Sequence, residues 1–181
     1  MIGSTLIATY DDNLVGKICA VPLKEIYDLN IDSSSGWNFL SVKHGGTHSL
    51  PCIKITKREN YESLITLVFA NGTQLTGAGD ECIGLRNGEF RRLDSIFAGI
   101  IMWRYNHSVF LDEPNILHSR KNWEDEDNSD VTVTSIIKHD FDPNIDVYDV
   151  IINDEVQNYA IVLDKNYDYK RLNQSGVFIR K

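Results

Sequence analysis

The sequence predicts a mainly β protein, and three observations carry that prediction. Short runs rich in β-branched and aromatic residues recur along the 181 residues. Two Asn-Gly dipeptides, Asn71-Gly72 and Asn87-Gly88, each sit between such runs and mark tight hairpins. Helical periodicity is confined to two short stretches, so a layered α/β architecture is not expected.

Taken in order, Leu6-Ile7-Ala8-Thr9 reads as the opening strand, entering a turn at Asp11-Asp12-Asn13. Residues 21–27 read as a short helix with Pro22 near its first turn, where a missing N–H costs nothing. Residues 52–57 alternate apolar and polar. Residues 64–69 form a continuous β-branched run that ends at Asn71-Gly72, with residues 72–76 as the return strand. A type I′ turn is expected there, with positive φ at both central residues. Residues 82–85 and 89–92 flank the second Asn-Gly. Residues 92–97 read as one helical turn ending at Gly99. Further strands are expected at 131–137, 147–152, 157–163 and 176–179.

Apolar residues make up 42% and charged residues 24% of the chain, enough apolar material for one core. Eighteen basic against 26 acidic residues give a net charge of −8, which argues against a mainly electrostatic nucleic-acid binder. The first residues lack the basic and apolar regions of a secretory signal, and the longest apolar stretches, such as 96–103, fall short of a membrane span. A soluble protein made in the cytoplasm, with no membrane partner, is expected. Cys19, Cys52 and Cys82 sit in apolar surroundings and read as buried free thiols.

Several constellations bear on chemistry. His44, His48 and Cys52 recur at four-residue spacing, and zinc takes imidazole and thiolate ligands. Gly45, Gly46 and Pro51 argue for a loop rather than a shared helical face. No fourth ligand is evident, so polar loop histidines are the reading, with no metal or cofactor. The acidic run Glu124, Asp125, Glu126, Asp127 and Asp130 fails the EF-hand pattern, because Asp130 and Ile136 stand where Gly and Glu are required. It reads as a solvated loop. Gly77-Ala78-Gly79-Asp80 is not followed by Gly-Lys-Ser/Thr and reads as a sharp turn after Thr76 rather than a phosphate loop. No Gly-x-Ser-x-Gly elbow is present. Trp37, Trp103 and Trp123 are too far apart in sequence to form a visible stacking platform.

Three segments together resemble the hedgehog/intein (Hint) family. Gly3-Ser4-Thr5-Leu6-Ile7-Ala8-Thr9 is similar to the family's opening strand. Residues 65–76, followed by Gly88-Glu89-Phe90-Arg91-Arg92-Leu93-Asp94-Ser95-Ile96, resemble its central strand, turn, Thr and second hairpin. Residues 131–137, then Val147-Tyr148-Asp149-Val150, Gln157-Asn158-Tyr159-Ala160 and Gly176-Val177-Phe178-Ile179, resemble its closing blocks. The resemblance implies a curved antiparallel Hint domain over residues 1–181, with an insertion-like segment around 100–130.

The family splices or cleaves itself. A first-residue Cys or Ser attacks the preceding carbonyl, a block His polarises that amide, and a terminal His-Asn pair releases the far junction. This sequence departs at those positions. Aligned on Gly3-Ser4-Thr5, the nucleophile would fall one residue before Met1. Thr76 is kept, but the block His falls at Gly79 or Asp80, the later His at Gln157, and the terminal pair at Arg180-Lys181. The expectation is a degenerate, non-catalytic Hint domain acting as a structural or protein-binding module. An intein-like self-splicing or self-cleaving domain is the alternative. A content rich in Asn, Ile, Asp, Lys and Tyr is typical of AT-rich bacteriophage genomes, which makes a virion component of the neck, tail or baseplate the associated expectation. Partner contact is expected around Trp103, Phe110 and Leu111 and along the acidic Glu124, Asp125 and Asp127. For residues 100–111 the alternative is further strands of the same core.

Overall fold

A computed structural model of the chain describes residues 1–11, 17–29, 37–43, 46–102, 104–108, 131–152, 157–163 and 173–180. Strand β1 (Leu6–Asp11) forms a hairpin with β2 (Lys17–Pro22), running from Leu6 opposite Pro22 to Asp11 opposite Lys17. Its other edge is divided. Thr9 and Tyr10 pair with β3 (Asn38–Lys43), while Leu6 and Ile7 pair with Val162 and Ile161 of the much later β12 (Asn158–Val162).

Pro22 ends β2, and α1 (Leu23–Leu29) follows at once. The first two helical N–H groups, which have no partner inside a helix, donate to chain carbonyls: Leu23 N to Thr5 O at 2.9 Å and Lys24 N to Gly3 O at 2.9 Å. Leu23 and Ile26, one turn apart, are the buried pair.

The longest strand, β4 (Gly46–Arg58), changes partner halfway. Residues 46–51 pair with β3, whereas Cys52 to Arg58 pair with β11 (Val147–Ile152). Pro51 sits at the changeover, where its missing N–H takes no ladder bond from either partner; the next amide, Cys52 N, donates to Trp37 O at 2.8 Å. The expected loop around His48 and Pro51 is therefore overturned: both lie in β4. His44 lies outside the described residues. With His48 and Cys52 four residues apart on an extended strand, their backbones are about 13 Å apart.

The far end of the sheet is built from β13 (Asn173–Arg180), β7 (Cys82–Gly84) and β8 (Phe90–Arg92), followed by a 3-10 turn over Leu93–Ser95. Among the described residues the main sheet runs β11-β4-β3-β1-β12-β13-β7-β8, with β2 on β1 and β9 (Arg104–Ser108) on β13. A second sheet has the order β10-β5-β6, from β10 (Val133–Asp140), β5 (Ser63–Phe69) and β6 (Gln74–Ala78). One apolar cluster joins the two sheets and includes Ile7, Phe39, Leu67, Ile83, Tyr148 and Ile161. Each such side chain contributes roughly 1.5–3 kcal/mol when fully buried.

Both Asn-Gly hairpins form, but not with the expected turn. Gly72 and Gly88 have φ of 77° and 84°, and among the described non-glycine residues only Gln157 has positive φ. Asn71 and Asn87 therefore keep negative φ, which excludes type I′. In each hairpin a tight turn, Gly72 N to Phe69 O and Gly88 N to Leu85 O at 2.8 Å, precedes the glycine. The loop holds three residues, the pattern of a type I turn closed by a left-handed glycine. The asparagines serve instead as acceptors: Asn71 Oδ1 takes Thr73 N at 2.9 Å, and Asn87 Oδ1 takes Glu89 N at 3.0 Å.

Of the apolar residues read as partner contacts or further strands, Ile100 and Ile101 pack against the main core and Met102 is wholly buried. Ile101 bridges to Thr132 and Met102 to Leu85. Residues 100–102 thus belong to the core through isolated bridges rather than a strand, with β9 following on the edge of β13; Trp103, Val109, Phe110 and Leu111 lie outside the described residues.

Candidate functional site

Residues 1–5 thread between the two sheets. Ile2 N donates to Thr76 O at 3.4 Å and Tyr148 N donates to Met1 O at 2.8 Å, so the segment is stitched to β6 on one side and β11 on the other. Met1 is wholly buried. Its α-amino group forms an ion pair with Glu81 Oε1 and donates to Tyr148 O at 2.9 Å. Glu81 is 4% exposed, and its Oε2 is a buried side-chain oxygen with no hydrogen-bond partner among the described residues. Burial pushes the Glu81 carboxyl up, while the Met1 ammonium and Arg58 pull it back down.

A second ionic group lies close by. Arg58, at the end of β4, and Asp149 on β11 are diagonal cross-strand neighbours. Arg58 Nε donates to Asp149 Oδ1 at 3.0 Å, and Nη2 reaches the same oxygen. Arg58 Nη1 donates to Asp80 Oδ1 at 2.6 Å. Burial works against the guanidinium charge, but the bonds to Asp149 and Asp80 outweigh it and hold Arg58 above its ordinary range.

The positions that the resemblance assigns to chemistry differ in their surroundings. Thr76 is half-buried, with its hydroxyl 2.8 Å from that of Thr66, which in turn lies 3.0 Å from His139 Nε2. Gly79 is buried; its N–H donates to Ser63 O at 3.1 Å and its carbonyl accepts from Asp94 N at 3.0 Å. Asp80 is exposed and held by Arg58. Gln157 is exposed, with φ of 47°. Arg180 is exposed, with its guanidinium carbon 5.8 Å from the Phe90 ring centre. In register, Arg180 lies opposite Asn158 on one side and Cys82 on the other. Asn158 is fully buried and accepts from Ser41 Oγ at 3.1 Å.

β6 continues through Gly77 to Ala78, and the turn expected after Thr76 follows at Gly79 and Asp80, closed by Glu81 N donating to Ala78 O at 3.0 Å, with positive φ at neither Gly77 nor Gly79. Gly77 also allows close packing. A Cβ at Gly77 would run into Glu81 Oε2 and would lie 2.7 Å from Met1 Sδ. Trp103, Phe110, Leu111, Glu124, Asp125, Asp127 and Lys181 lie outside the described residues. Among the described residues no group of three or more His, Cys, Asp or Glu is placed to hold a metal ion, and no helix is long and apolar enough to cross a membrane. Cys52 and Cys82 are free and half-buried.

Sequence reasoning misses Glu81 and the Arg58–Asp149–Asp80 network. The one local signal for Glu81 is strand alternation: it shares the inward face of wholly buried Ile83, two residues on.

No family model matches the sequence, and no curated protein matches it. Solved structures do. The chain is similar to an intein from a hyperthermophile, with a TM-score of 0.63 at 16% identity, covering 99% of this chain and 98% of that one. Similarity to the TvoVMA intein has a TM-score of 0.59 at 12% identity, covering 98% and 94%. For the Mvu mini-intein of transcription factor IIB the TM-score is 0.59 at 14% identity, covering 88% and 93%.

Proposed function

We propose that this chain, whose fold is the Hint fold of the inteins, is a non-catalytic Hint domain that serves as a structural or protein-binding module. The observation that carries the reading is the packing at Gly79. A Cβ built there stands 3.1 Å from Ser63 Oγ and 3.3 Å from Asp94 Cβ. Any side chain there needs the Ser63 hydroxyl and the Asp94 side chain to give by a few tenths of an ångström, and glycine itself offers no imidazole. The neighbouring position holds Asp80, whose carboxylate is engaged by Arg58. At the far junction Arg180 takes the place of the histidine and Lys181 that of the asparagine, and a lysine cannot cyclise as an asparagine does. Without a proton donor at the first junction and a cyclising amide at the second, neither bond is activated.

The partner surface is assigned to the segment carrying Trp103, Phe110 and Leu111 and to the acidic Glu124, Asp125 and Asp127, on the sequence argument alone. The virion placement rests on composition alone, and mass spectrometry of purified particles tests it; absence of the chain from the particle ends that version.

The central test places the chain between two reporter domains. Circular dichroism establishes that the fusion is folded, and intact mass and gel analysis follow it for a day. The expected outcome is an unchanged precursor. A ligated reporter pair or a released reporter overturns the proposal in favour of self-processing.

A further inference from the structure

An asparagine followed by glycine loses ammonia when the glycine amide nitrogen, unshielded by a side chain, attacks the asparagine Cγ. Two such dipeptides close hairpins here, and the fold holds them unequally. In both, the attacking amide is engaged while the turn is closed: Gly72 N donates to Phe69 O and Gly88 N to Leu85 O, each at 2.8 Å. Reaction therefore waits for the turn to open, and its rate follows the open population. Asn71 is hard to release. Its Oδ1 accepts from Thr73 N at 2.9 Å and from Thr73 Oγ1 at 2.6 Å, and Thr73 is 6% exposed. Behind this turn β5 and β6 pair from Val68–Gln74 to Leu64–Ala78, and β5 is flanked again by β10. Asn87 is held far less. Its Oδ1 accepts from Glu89 N at 3.0 Å, and glutamate brings no hydroxyl to add a second bond. Residues 86–89 are all exposed. β7 and β8 have three residues each, and β8 ends the main sheet. The bond that steadies the residue before the asparagine is also longer, Arg86 N to Ile101 O at 3.2 Å against Ala70 N to Thr132 O at 2.9 Å.

We propose that Asn87 is a site of spontaneous hydrolytic modification in the folded protein, while the same dipeptide at Asn71-Gly72 is kept unreactive by its bonds to Thr73. The bond from Gly88 N to Asn87 Cγ forms as the bond from Cγ to Nδ2 breaks, and the Gly88 amide proton leaves with Nδ2 as ammonia. The product is a succinimide. Water then opens either imide carbonyl, which gives an aspartyl residue or an isoaspartyl residue whose main chain runs through Cγ. The chain is not cut at any step, so the modification is independent of self-processing. Either product adds a carboxylate beside Glu89. The isoaspartyl form also adds a methylene to the main chain of a three-residue loop, whose length fixes the strand register. The bond from Leu85 N to Glu89 O and the Gly84–Phe90 pairing cannot both survive that insertion. The damage falls on β8 and the 3-10 turn that follows it.

The test incubates the full chain for several weeks in mildly alkaline buffer, once folded and once in concentrated urea. Peptide mapping by mass spectrometry follows the one-dalton gain at each asparagine, and enzymatic methylation of isoaspartate identifies the product. In the folded protein Asn87 is expected to react at least tenfold faster than Asn71. In urea, where neither turn exists, the two rates should agree within about twofold, since each asparagine then has only its glycine neighbour to react with. Equal rates in the folded protein overturn the proposal, as does a folded protein in which neither asparagine reacts while both react in urea. A preference for Asn87 of the same size in urea also overturns it, because the cause would then lie in the local sequence and not in the fold. Thr73→Val, which removes the hydroxyl and keeps the shape, should speed reaction at Asn71 severalfold and leave Asn87 unchanged. An unaltered Asn71 rate in a folded Thr73→Val chain counts against protection by Thr73, and the comparison with urea stands without that variant.

Discussion

At Gly77 a single methyl group meets three neighbours at once: Met1 Sδ at 2.7 Å, Leu93 Cδ1 at 2.9 Å and, closer still, Glu81 Oε2. Overpacking of this kind costs about 1–3 kcal/mol. Gly77→Ala should therefore melt several degrees below the parent in a thermal scan. Gly88→Ala is the instructive contrast. Nothing lies within 4 Å of its added Cβ, but φ is +84°, so its cost of about 1 kcal/mol is backbone strain alone. A different residue-scale effect is titration at Cys52. Burial pushes its thiol up from 9.0 to about 11, and its sulfur points at Ile151 O at 3.8 Å. A raised acid pKa means that the fold favours the protonated thiol. Its contribution is complete below pH 9 and lost as pH rises toward 11. The melting temperature should fall more steeply between pH 9 and 11 in the parent than in Cys52→Ala. Parallel curves for the two proteins would show that the thiol is not linked to folding.

At the scale of elements, β4 holds the molecule together by serving two partners, β3 and then β11. The Arg58–Asp149 pair fastens its second half, with both side chains 12% exposed. Loss of Arg58 takes the ion pair from poorly hydrated Asp149, whereas loss of Asp149 leaves Arg58 held by Asp80. Arg58→Gln should therefore cost about 3 kcal/mol in urea unfolding and Asp149→Asn less, and the two combined should cost less than the single changes added. The strands legible in the sequence are those whose cues are local: the β-branched run of β5, the Asn-Gly hairpins, and the apolar runs of β11 and β12. β2 and β3 escape such a reading for physical reasons. Val21 and Pro22 look like a helix entrance, and Asn38 to Lys43 become a strand only because β1 and β4 flank them. The sequence around His48 and Pro51 reads as loop because a proline is excluded from most strand interiors, and the changeover of partner that accommodates Pro51 is not visible locally. The candidate site is legible in outline through Thr76 and Gly79. Glu81 is not, since what makes its burial tolerable is an amine 80 residues away in the chain.

For the molecule as a whole, the decisive strand is β12. All five of its residues are buried; the chain's first strand lies on one edge and its last on the other. Opening β12 therefore means breaking both the Leu6–Val162 register and the Tyr159–Ile179 register, the first of which spans nearly the full chain length. No local fluctuation does that, so its amides should exchange only by global unfolding. β10 is the opposite case. It pairs with β5, and from Thr134 to Asp140 every residue except half-buried Ile136 is exposed. Local opening of β10 sacrifices little apolar burial. Hydrogen exchange followed by mass spectrometry should place peptides covering residues 158–162 and 177–179 at the slowest, mutually equal rates, with residues 134–140 faster by at least an order of magnitude. Equal protection in β10 and β12 would instead mean that the two sheets open as one cooperative unit. The apolar cluster shared between the sheets, not strand pairing at the chain ends, would then set the stability of this fold.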